Sequence, residues 1–427
     1  MTVWLVAVFI VTYAGIALEE LTGVNKAAAA LIGAGLLWTI YALGSGEHGV
    51  VDRELGESLI GTAQIAFFLI GAMTIVEVID AHDGFEVITT RLRAKTLAGL
   101  ATIMALVTFG LSAVLDNLTT TIVMVSLLAK LLRERDDRLW LTGVIVIAAN
   151  AGGAWSPIGD VTTTMLWIGG QVTTQAIVTR LIGPALVNLL VPLAIVAWRL
   201  RGREVLAPAA SGSGERLHGT AFERKLMFAL GLGALLAVPL FKAVTHLPPF
   251  LGVLLGLGLL WAVGDLLHRG KPTAQRQTVS IAHALTRIDL SAIVFFVGIL
   301  FAVATLEHTG ALGALAAWLD RTVGRLDVIV ILFGLLSAVI DNVPMVAAGM
   351  GMYDLGAHPP DSFVWEFMAY CAGTGGSILI IGSAAGVAAM GIEKVSFGWY
   401  LRRIAPLALA GYLAGAGVYL AQHAALG

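Results

Sequence analysis

Two aspartates interrupt long apolar stretches of this sequence. Asp116 lies within the stretch 97–129 and Asp341 within the stretch 327–351. Inside a bilayer, an ionised carboxylate costs about 2.5–3.5 kcal/mol even on a lenient insertion scale, so it marks a candidate functional site. The alternative is that each aspartate caps a half-helix by accepting hydrogen bonds from free N–H groups. The two roles are compatible, because a capped break also exposes backbone carbonyls.

The asparagines that follow these aspartates, Asn117 and Asn342, add neutral polar groups at the same two breaks. An amide can offer its carbonyl oxygen to a cation, or its N–H groups to a neighbouring carboxylate. Helix capping is an equally good interpretation of both asparagines.

A second polar cluster lies in the segment 150–164, which reads NAGGAWSPIGDVTTT. A glycine pair and Pro157 cannot sustain regular helix hydrogen bonding, so this segment is predicted to break a helix and free its carbonyl oxygens. Hard oxygen ligands suit small hard cations, and unwound carbonyls hold Na⁺ in transporters. Close helix packing through the glycines is the alternative. The side chains that add oxygens here are those of Asn150, Ser156, Asp160 and Thr162.

A buried carboxylate is unstable as a bare anion, because desolvation disfavours its charged form. It therefore takes up either a proton or a metal cation, and the two compete. Combined with alternating access to the two sides of a membrane, this competition would exchange a cation for protons. We predict that Asp116, Asp160 and Asp341 are linked to the proton, with Glu77, near the end of an apolar run, as a weaker candidate on a proton path. The predicted Na⁺ ligands are Asp116, Asn117, Asn150, Asp160, Thr162, Asp341, Asn342 and Thr374.

The composition places these residues in a membrane protein. Of the 427 residues, 58% are hydrophobic and only 13% are charged, whereas a soluble globular chain is roughly 25% charged. This excludes a water-soluble enzyme and a disordered protein. The formal net charge of −2 offers no basic surface for a nucleic acid. No cofactor is expected beyond a transported ion.

Ten apolar runs are long enough to cross a bilayer, which takes roughly 20 residues per helix. The predicted spans are 2–18, 27–44, 58–80, 140–168, 181–198, 225–245, 249–267, 289–306, 363–390 and 404–423. The interrupted stretches 97–129 and 327–351 are predicted to be re-entrant hairpins.

The basic residues support the hairpins and give an orientation. If each hairpin enters and leaves on one side, nearly all of the 26 Lys and Arg fall on a single face, which is the cytoplasmic one. The exceptions are Arg53, Arg180, Lys242, Arg321 and Arg325. Both termini are then expected on the opposite, outer face.

The sequence also contains an internal repeat with an offset of about 225 residues. Residues 111–117 (LSAVLDN) match 336–342 (LSAVIDN) at all positions but one, and 149–154 (ANAGGA) aligns with 372–377 (AGTGGS). Ile158-Gly159-Asp160 then falls on Ile381-Gly382-Ser383. The second copy supplies hydroxyls at Thr374, Ser377 and Ser383 where the first has a carboxylate.

The repeat defines the predicted domain organisation. Residues 1–201 form a first repeat, 202–222 a cytoplasmic linker with a Ser-Gly run, and 223–427 a second repeat. Each repeat holds five spans, an odd number, so the second must be inverted relative to the first. The expected fold is an all-α integral membrane protein of two inverted repeats, with about ten transmembrane helices, two re-entrant hairpins and helices broken near the midplane, as in secondary transporters.

The runs 111–124, 150–167 and 336–344 resemble NhaD-type sodium/proton antiporters of the ion transporter superfamily, and the similarity covers nearly the whole chain. The resemblance implies exchange of Na⁺ or Li⁺ for protons across a bacterial cytoplasmic membrane, which would place both termini in the periplasm. It also implies a scaffold, a moving transport domain with two hairpins, an elevator-like motion and a homodimer. The polar residues of the family motifs fall on Ser112, Asp116, Asn117, Asn150, Asp160, Thr162, Ser337, Asp341, Asn342, Thr374, Ser377 and Ser383.

Two other functions fit parts of this pattern. An anion carrier for a dicarboxylate or arsenite is possible, since half-helix N-termini attract anions, but an aspartate beside the substrate would repel an anion. An intramembrane aspartyl protease could use Asp116 and Asp341 as a dyad that shares a proton. Its weakness is that each aspartate is followed by an asparagine within a duplicated hairpin.

Overall fold

A computed structural model describes residues 1–46, 48–89, 92, 94–205 and 220–426 of this protein. These residues form helices throughout, and the one extended pairing among them is an isolated bridge between Thr96 and Glu204. The helices of the first half are α1 (Thr2–Ala17), α2 (Glu19–Thr22), α3 (Lys26–Ser45), α4 (His48–Ala81), α5 (Glu86–Thr89), α6 (Leu97–Leu115), α7 (Asn117–Leu131), α8 (Arg135–Gly153), α9 (Val161–Ile168) and α10 (Thr174–Arg199).

The second half has a similar sequence of long and short helices. They are α11 (Ala221–Thr245), α12 (Pro249–Leu267), α13 (Thr273–Thr278), α14 (Ile281–Arg287), α15 (Leu290–His308), α16 (Ala311–Val323), α17 (Leu326–Ser337), α18 (Asn342–Met352), α19 (Phe363–Gly375), α20 (Ala384–Glu393), α21 (Phe397–Arg403) and α22 (Ala405–Leu426).

Seven of the described helices are long and apolar enough to cross a membrane: α3, α4, α6, α10, α11, α12 and α15. The pair α21 and α22, bent by 50°, makes an eighth when taken as one span. Large apolar side chains such as Leu43 and Trp198 are 79% and 76% exposed on these helices. Such exposure is the expected arrangement for helix faces turned toward lipid.

The predicted spans 140–168 and 363–390 are each broken into two helices. The first consists of α8 and α9, which are separated by residues 154–160, and the second of α19 and α20, separated by residues 376–383. The breaks coincide with the Gly-rich motifs, where regular hydrogen bonding is hardest to maintain. Neither broken segment therefore counts as a single long helix, and α1, at 16 residues, is also shorter than a typical span.

The two interrupted stretches break where the sequence predicts. The helix α6 ends at Leu115 and α7 begins at Asn117, so Asp116 alone separates them. In the second half α17 ends at Ser337 and α18 begins at Asn342. The two helices of each stretch contact each other, α6 and α7 both pack on α8, and α17 and α18 both pack on α19.

The helices pack in two groups. One contains α6–α10 and α17–α22, and the other contains α1, α3, α4, α11, α12 and α15. The groups meet where α4 contacts α9, α6 contacts α11 and α15 contacts α18. The polar breaks lie along this boundary.

The predicted linker 202–222 begins as ordered chain. The Leu97 N–H donates to the Arg203 carbonyl at 2.9 Å, and the Val205 N–H donates to the Lys95 carbonyl at 3.1 Å. Residues 206–219, which include the Ser-Gly run, lie outside the described residues.

Candidate functional site

A cavity of about 70 Å³ lies between the two helix groups and brings the polar breaks together. Asp116, Asn117 and Asp160 line one side of it. Phe68 on α4 and Phe296 on α15 line the other side. Two of the three predicted aspartates therefore share one cavity.

Asp160 is the centre of the hydrogen-bond network and is 2% exposed. Its Oδ1 caps α9, accepting from the Thr162 N–H and from Thr162 Oγ1, both at 2.9 Å. Its Oδ2 accepts from Asn117 Nδ2 at 2.7 Å and from Asn342 Nδ2 at 3.4 Å. One carboxylate thus contacts side chains from three separate breaks.

Asn150 extends this network to the second broken span. Its Oδ1 accepts from Asn117 Nδ2 at 3.0 Å, and its Nδ2 donates to Ser383 Oγ at 3.0 Å. Ser383 in turn caps α20 by accepting from the Gly386 N–H at 3.2 Å. The predicted ligands from both halves of the sequence are therefore joined in one buried cluster.

Asp116 uses its carboxylate locally. Its Oδ1 accepts from the Thr119 N–H at 2.7 Å, and its Oδ2 accepts from Thr119 Oγ1 at 2.9 Å. Its backbone has φ 89° and ψ 160°, a region that is essentially restricted to glycine and that costs about 1–3 kcal/mol for other residues. Such strain is characteristic of functional sites.

Asp341 has a cationic partner that the sequence did not indicate. Its Oδ2 lies 2.8 Å from Lys26 Nζ, in an ion pair between the α17–α18 break and the start of α3. Its Oδ1 accepts from the Val343 N–H at 3.3 Å and so caps α18. At Asp160 and Asp341 one oxygen therefore caps a helix while the other contacts a different segment, whereas both oxygens of Asp116 bond to Thr119.

The predicted supporting residues are buried but mostly bond to backbone. Ser112 Oγ donates to the Ala149 carbonyl at 2.5 Å, and Ser337 Oγ donates to the Ala372 carbonyl at 3.3 Å. These are equivalent positions of the sequence repeat. Three further hydroxyls bond locally: Thr374 donates to the Tyr370 carbonyl at 2.7 Å, Ser377 donates to the Thr374 carbonyl at 2.7 Å, and Ser156 accepts from the Ile158 N–H at 3.4 Å.

Two glycines allow close backbone contact between an interrupted stretch and a broken span in each half. A Cβ at Gly159 would come within 2.6 Å of the Ser112 carbonyl oxygen, and a Cβ at Gly382 within 2.6 Å of the Ala338 carbonyl oxygen. Gly159 and Gly382 are matched by the repeat, and both halves make a close backbone contact here, with the carbonyl partner shifted by one residue. These glycines explain how the aspartates and asparagines of different breaks come within hydrogen-bond distance.

Glu77 lies apart from this cluster. Its Oε1 pairs with Arg287 Nε at 2.8 Å, and Glu77 does not line the cavity that contains Asp116 and Asp160. The structure thus accounts for Glu77 by an ion pair, and a role for it on a proton path stays a prediction.

The side chains around Asp160 belong to types that can bind a small hard cation. A carboxylate, the Thr162 hydroxyl and the amides of Asn117 and Asn342, which donate N–H groups to Asp160, converge in a buried site. Carboxylate, hydroxyl and amide oxygens all suit alkali and alkaline-earth ions. The apolar wall formed by Phe68 and Phe296 keeps the local dielectric low, which strengthens charge interactions.

Sequence reasoning missed Lys26 and Thr119 as members of the site. Lys26 was visible as the one basic residue between the first two apolar runs. Thr119 had a weaker signal, because threonine one turn into a helix is common.

The chain is similar to known transporters over most of its length. Residues 7–367 match the family model described as citrate transporter, CitMHS. The chain is 48% identical over 417 residues to sodium/proton antiporter 1 of Arabidopsis thaliana, covering 97% of this chain and 71% of that protein. It is 45% identical over 423 residues to sodium/proton antiporter 2 of the same plant, covering 97% of this chain and 98% of that protein.

Bacterial proteins are also similar. The chain is 31% identical over 455 residues to the Na⁺/H⁺ antiporter NhaD of Alkalimonas amylolytica, with 99% of this chain and 90% of that protein covered. Similarity at this level extends over both halves of the repeat.

Proposed function

Because the chain belongs to the citrate transporter family and, within it, to the NhaD-type sodium/proton antiporters, we propose that it exchanges Na⁺ or Li⁺ for protons across a membrane by alternating access. It is a multi-pass membrane transporter and not an enzyme. The named relatives are antiporters, which removes the aspartyl protease from consideration.

The observation that carries the proposal is the environment of Asp160. Its Oδ2 faces Asn117 and Asn342, which come from the breaks of the two opposite halves. Both asparagines now donate N–H groups to the carboxylate. Rotation of either amide would present a carbonyl oxygen instead, and that oxygen could bind a cation seated beside Asp160.

The proposed coupling is competition for buried carboxylates. Asp160 and Asp116 share a cavity lined largely by apolar side chains, where a bare anion is unfavourable. Each carboxylate is therefore neutralised by a proton or by Na⁺, never by both. A carrier that crosses the membrane only in neutralised states would release one ion as it takes up the other.

In this proposal Na⁺ is bound by oxygens of Asp160, Asn117, Asn150, Thr162 and Asn342. Asp116 serves as the second acid in the same cavity. Thr374 and Ser383 flank the break between α19 and α20, and in the proposal they complete the shell around the ion. Thr374 Oγ1 donates to the Tyr370 carbonyl, and Ser383 Oγ accepts from Asn150. No cofactor is required.

The proposed motion is an elevator-like displacement of one helix group against the other. The cavity lies between the two groups, so sliding along this boundary would expose it to either side. The equivalent serine and glycine contacts in both halves support two inverted repeats with re-entrant hairpins at α6–α7 and α17–α18. We further propose a homodimer, in which a fixed group would serve as the dimer contact.

The proposed orientation follows the basic residues. The ion pairs Arg138–Glu393, Arg203–Asp137 and Lys271–Glu223 join residues that the prediction places on one face. We propose that this face is cytoplasmic and that both termini lie outside, in the periplasm if the membrane is a bacterial inner membrane. The named relatives come from both plants and bacteria.

The test is ion exchange by purified protein in liposomes. An inward Na⁺ gradient is expected to drive proton efflux, read by a trapped pH dye, and Li⁺ is expected to substitute for Na⁺. Asp354→Asn, which alters an exposed acid outside the site, should leave the rate unchanged. Absence of Na⁺-driven proton movement in a correctly inserted wild-type protein would refute the proposal.

The family description makes an anion such as citrate the second candidate. Asp116 and Asp160 would both repel a carboxylate in their cavity, which argues against it. In the same liposomes, uptake of citrate without any response to Na⁺ or Li⁺ would reverse the ranking.

A further inference from the structure

Lys26 is placed where a cation is not otherwise favoured. It is the first residue of α3, and the N-terminus of a helix carries a partial positive charge that disfavours cations. Its side chain is 28% exposed, and its Nζ lies 4.5 Å from the centre of the Phe295 ring. The negative charge of Asp341, at 2.8 Å, stabilises the ammonium group, whereas the helix N-terminus destabilises it.

Neighbouring groups hold Lys26 in place for its ion pair with Asp341. The backbone N–H of Lys26 donates to Glu19 Oε1 at 3.1 Å, and Glu19 and Asp289 add negative charge near its ammonium group. The adjacent Asn25 caps α3 by accepting from the Ala27 N–H at 2.8 Å. Lys26 is thus held on one helix group, while Asp341 belongs to the other.

The two hairpin aspartates consequently differ, although the repeat makes them equivalent in sequence. Asp341 has an ammonium group at Oδ2 and a helix cap at Oδ1. Asp116 is bonded to Thr119 through both oxygens. Among the residues that the structure describes, no Lys or Arg is paired with Asp116 or with Asp160.

We propose that Lys26 is the tethered counter-ion of Asp341, a positioning residue that excludes Na⁺ from this carboxylate and confines ion exchange to Asp116 and Asp160. This inference rests on the proposed function. It changes the role predicted for Asp341 from a sodium ligand to an anchor between the two helix groups.

The physical basis is effective concentration. An ammonium group attached to the same chain competes with free Na⁺ at a local concentration that solution ions do not match. Removal of Lys26 alone would leave Asp341 as an unpaired carboxylate, near enough to Asp160 to interact with it electrostatically. That carboxylate would attract the next available cation. Removal of both the ammonium group and the carboxylate would leave the net charge at this position the same as in the wild type.

The experiment measures equilibrium binding of ²²Na⁺ to purified protein at one alkaline pH, where proton competition is weak. The variants are Lys26→Met, Lys26→Arg and the double variant Lys26→Met/Asp341→Asn. The double variant is expected to keep the wild-type half-saturating Na⁺ concentration within about threefold, because no ligand is lost. Lys26→Met alone is expected to bind more Na⁺ per protein than the wild type, and Lys26→Arg the same amount.

Two results would overturn the inference. A double variant that loses Na⁺ binding about tenfold or more, as expected for loss of a ligand, would make Asp341 part of the ion site. Equal Na⁺ binding by Lys26→Met and by the double variant would show that Lys26 does not exclude Na⁺ from Asp341. If Lys26→Met fails to insert, the charge-neutral double variant and Lys26→Arg still decide the first point.

The failure of the proposed function would look different. Wild-type protein that neither binds Na⁺ nor exchanges it for protons would refute the sodium proposal itself. Wild-type protein that exchanges Na⁺, together with a double variant that does not bind it, would refute only the role given to Lys26.

Discussion

Asn117 Nδ2 lies 2.7 Å from Asp160 Oδ2, which joins the break between α6 and α7 to the break between α8 and α9. The same nitrogen lies 3.0 Å from Asn150 Oδ1. Asn117 therefore connects two breaks of the polar network, and in the proposed mechanism rotation of its amide would change what Asp160 can bind.

The first prediction concerns this amide. In the proposed sodium-bound state the Asn117 amide oxygen binds the ion, and Asn117→Ala removes this ligand, an interaction with a charge that is worth about 1.5–3 kcal/mol. We expect the half-saturating Na⁺ concentration for exchange to rise by about tenfold or more. Liposome assays over a range of Na⁺ concentrations measure it. The exposed variant Thr39→Ala should match the wild type, and an unchanged value in Asn117→Ala would exclude Asn117 as a ligand.

The second prediction separates the carboxylate of Asp116 from its backbone. Asp116→Gly removes the side chain but suits φ 89°, whereas Asp116→Ala removes the side chain and retains the strain. We expect both variants to lose exchange. The glycine variant is expected to unfold at the higher temperature, because its free energy of unfolding should be larger than that of the alanine variant by about 1–3 kcal/mol. Thermal unfolding in detergent and liposome exchange are the two measurements. Exchange by Asp116→Gly would show that the carboxylate is dispensable.

The third prediction tests the close contact at Gly159. A methyl group there would clash with the Ser112 carbonyl oxygen, whereas a Cβ at Gly110 would meet nothing within 4 Å. Gly159→Ala is therefore expected to separate α6 from the broken span, and to reduce both thermal stability and Na⁺ binding. Gly110→Ala should leave Na⁺ binding unchanged and should not reduce stability, since alanine favours a helix. Equal behaviour of the two variants would contradict the packing described here.

The fourth prediction concerns a histidine pair at the ends of α4 and α12. The rings of His82 and His268 stack at 5.0 Å, and both residues are buried, at 2% and 4% exposure. His82 Nδ1 donates to the Val78 carbonyl at 2.7 Å. Burial lowers the pKa of both histidines, and the positive charge of Lys271 lowers both pKa values further. The negative charge of Glu223 raises both pKa values, and that of Asp83 raises the pKa of His82.

The lowered pKa values of His82 and His268 make the stability of the folded protein depend on pH. Because both pKa values are lowered, the two histidines take up protons at a lower pH in the folded protein than in the unfolded chain, where histidine has a pKa of about 6.5. The pair therefore stabilises the fold fully above about pH 6.5, and this stabilisation is lost as the pH falls toward the lowered pKa values. We expect the unfolding temperature to drop between pH 7.5 and 5.5, and to drop less in His82→Phe/His268→Phe, which keeps stacked rings. Equal drops would show that other groups set the acid limit.

Much of the architecture could be predicted because the bilayer leaves few alternatives. The breaks at Asp116, at Asp341 and within 150–164 followed from polar residues, Gly and Pro in runs that must otherwise be apolar helices. α8 ends and α9 begins within 150–164, and the break between α19 and α20 begins within the aligned glycine motif at 372–377. The long-range bonds of Asn150 to Asn117 and Ser383 could be anticipated only as a shared cluster, since the repeat implies proximity but gives no hydrogen-bond partners.

The ion pair of Lys26 with Asp341 could not be predicted, because it depends on which helix end meets the break between α17 and α18. Sequence reasoning treated Asp116 and Asp341 as equivalent, and the packing of α15 against α18, together with the ion pair of Asp341 to Lys26 at the start of α3, distinguishes them. The serines of the family motifs illustrate the same limit. Ser112 and Ser337 are buried as expected, yet they bond to backbone carbonyls of the neighbouring helix.

The most direct test of the account is Na⁺ binding to the wild type and to Asp160→Asn as a function of pH. For the wild type, the account predicts that acidification raises the half-saturating Na⁺ concentration while the maximum bound stays the same, as for two ligands that compete for one carboxylate. Asp160→Asn is predicted to lose high-affinity binding at every pH. Binding of Na⁺ to the wild type that is independent of pH, or that survives in Asp160→Asn, would contradict the account.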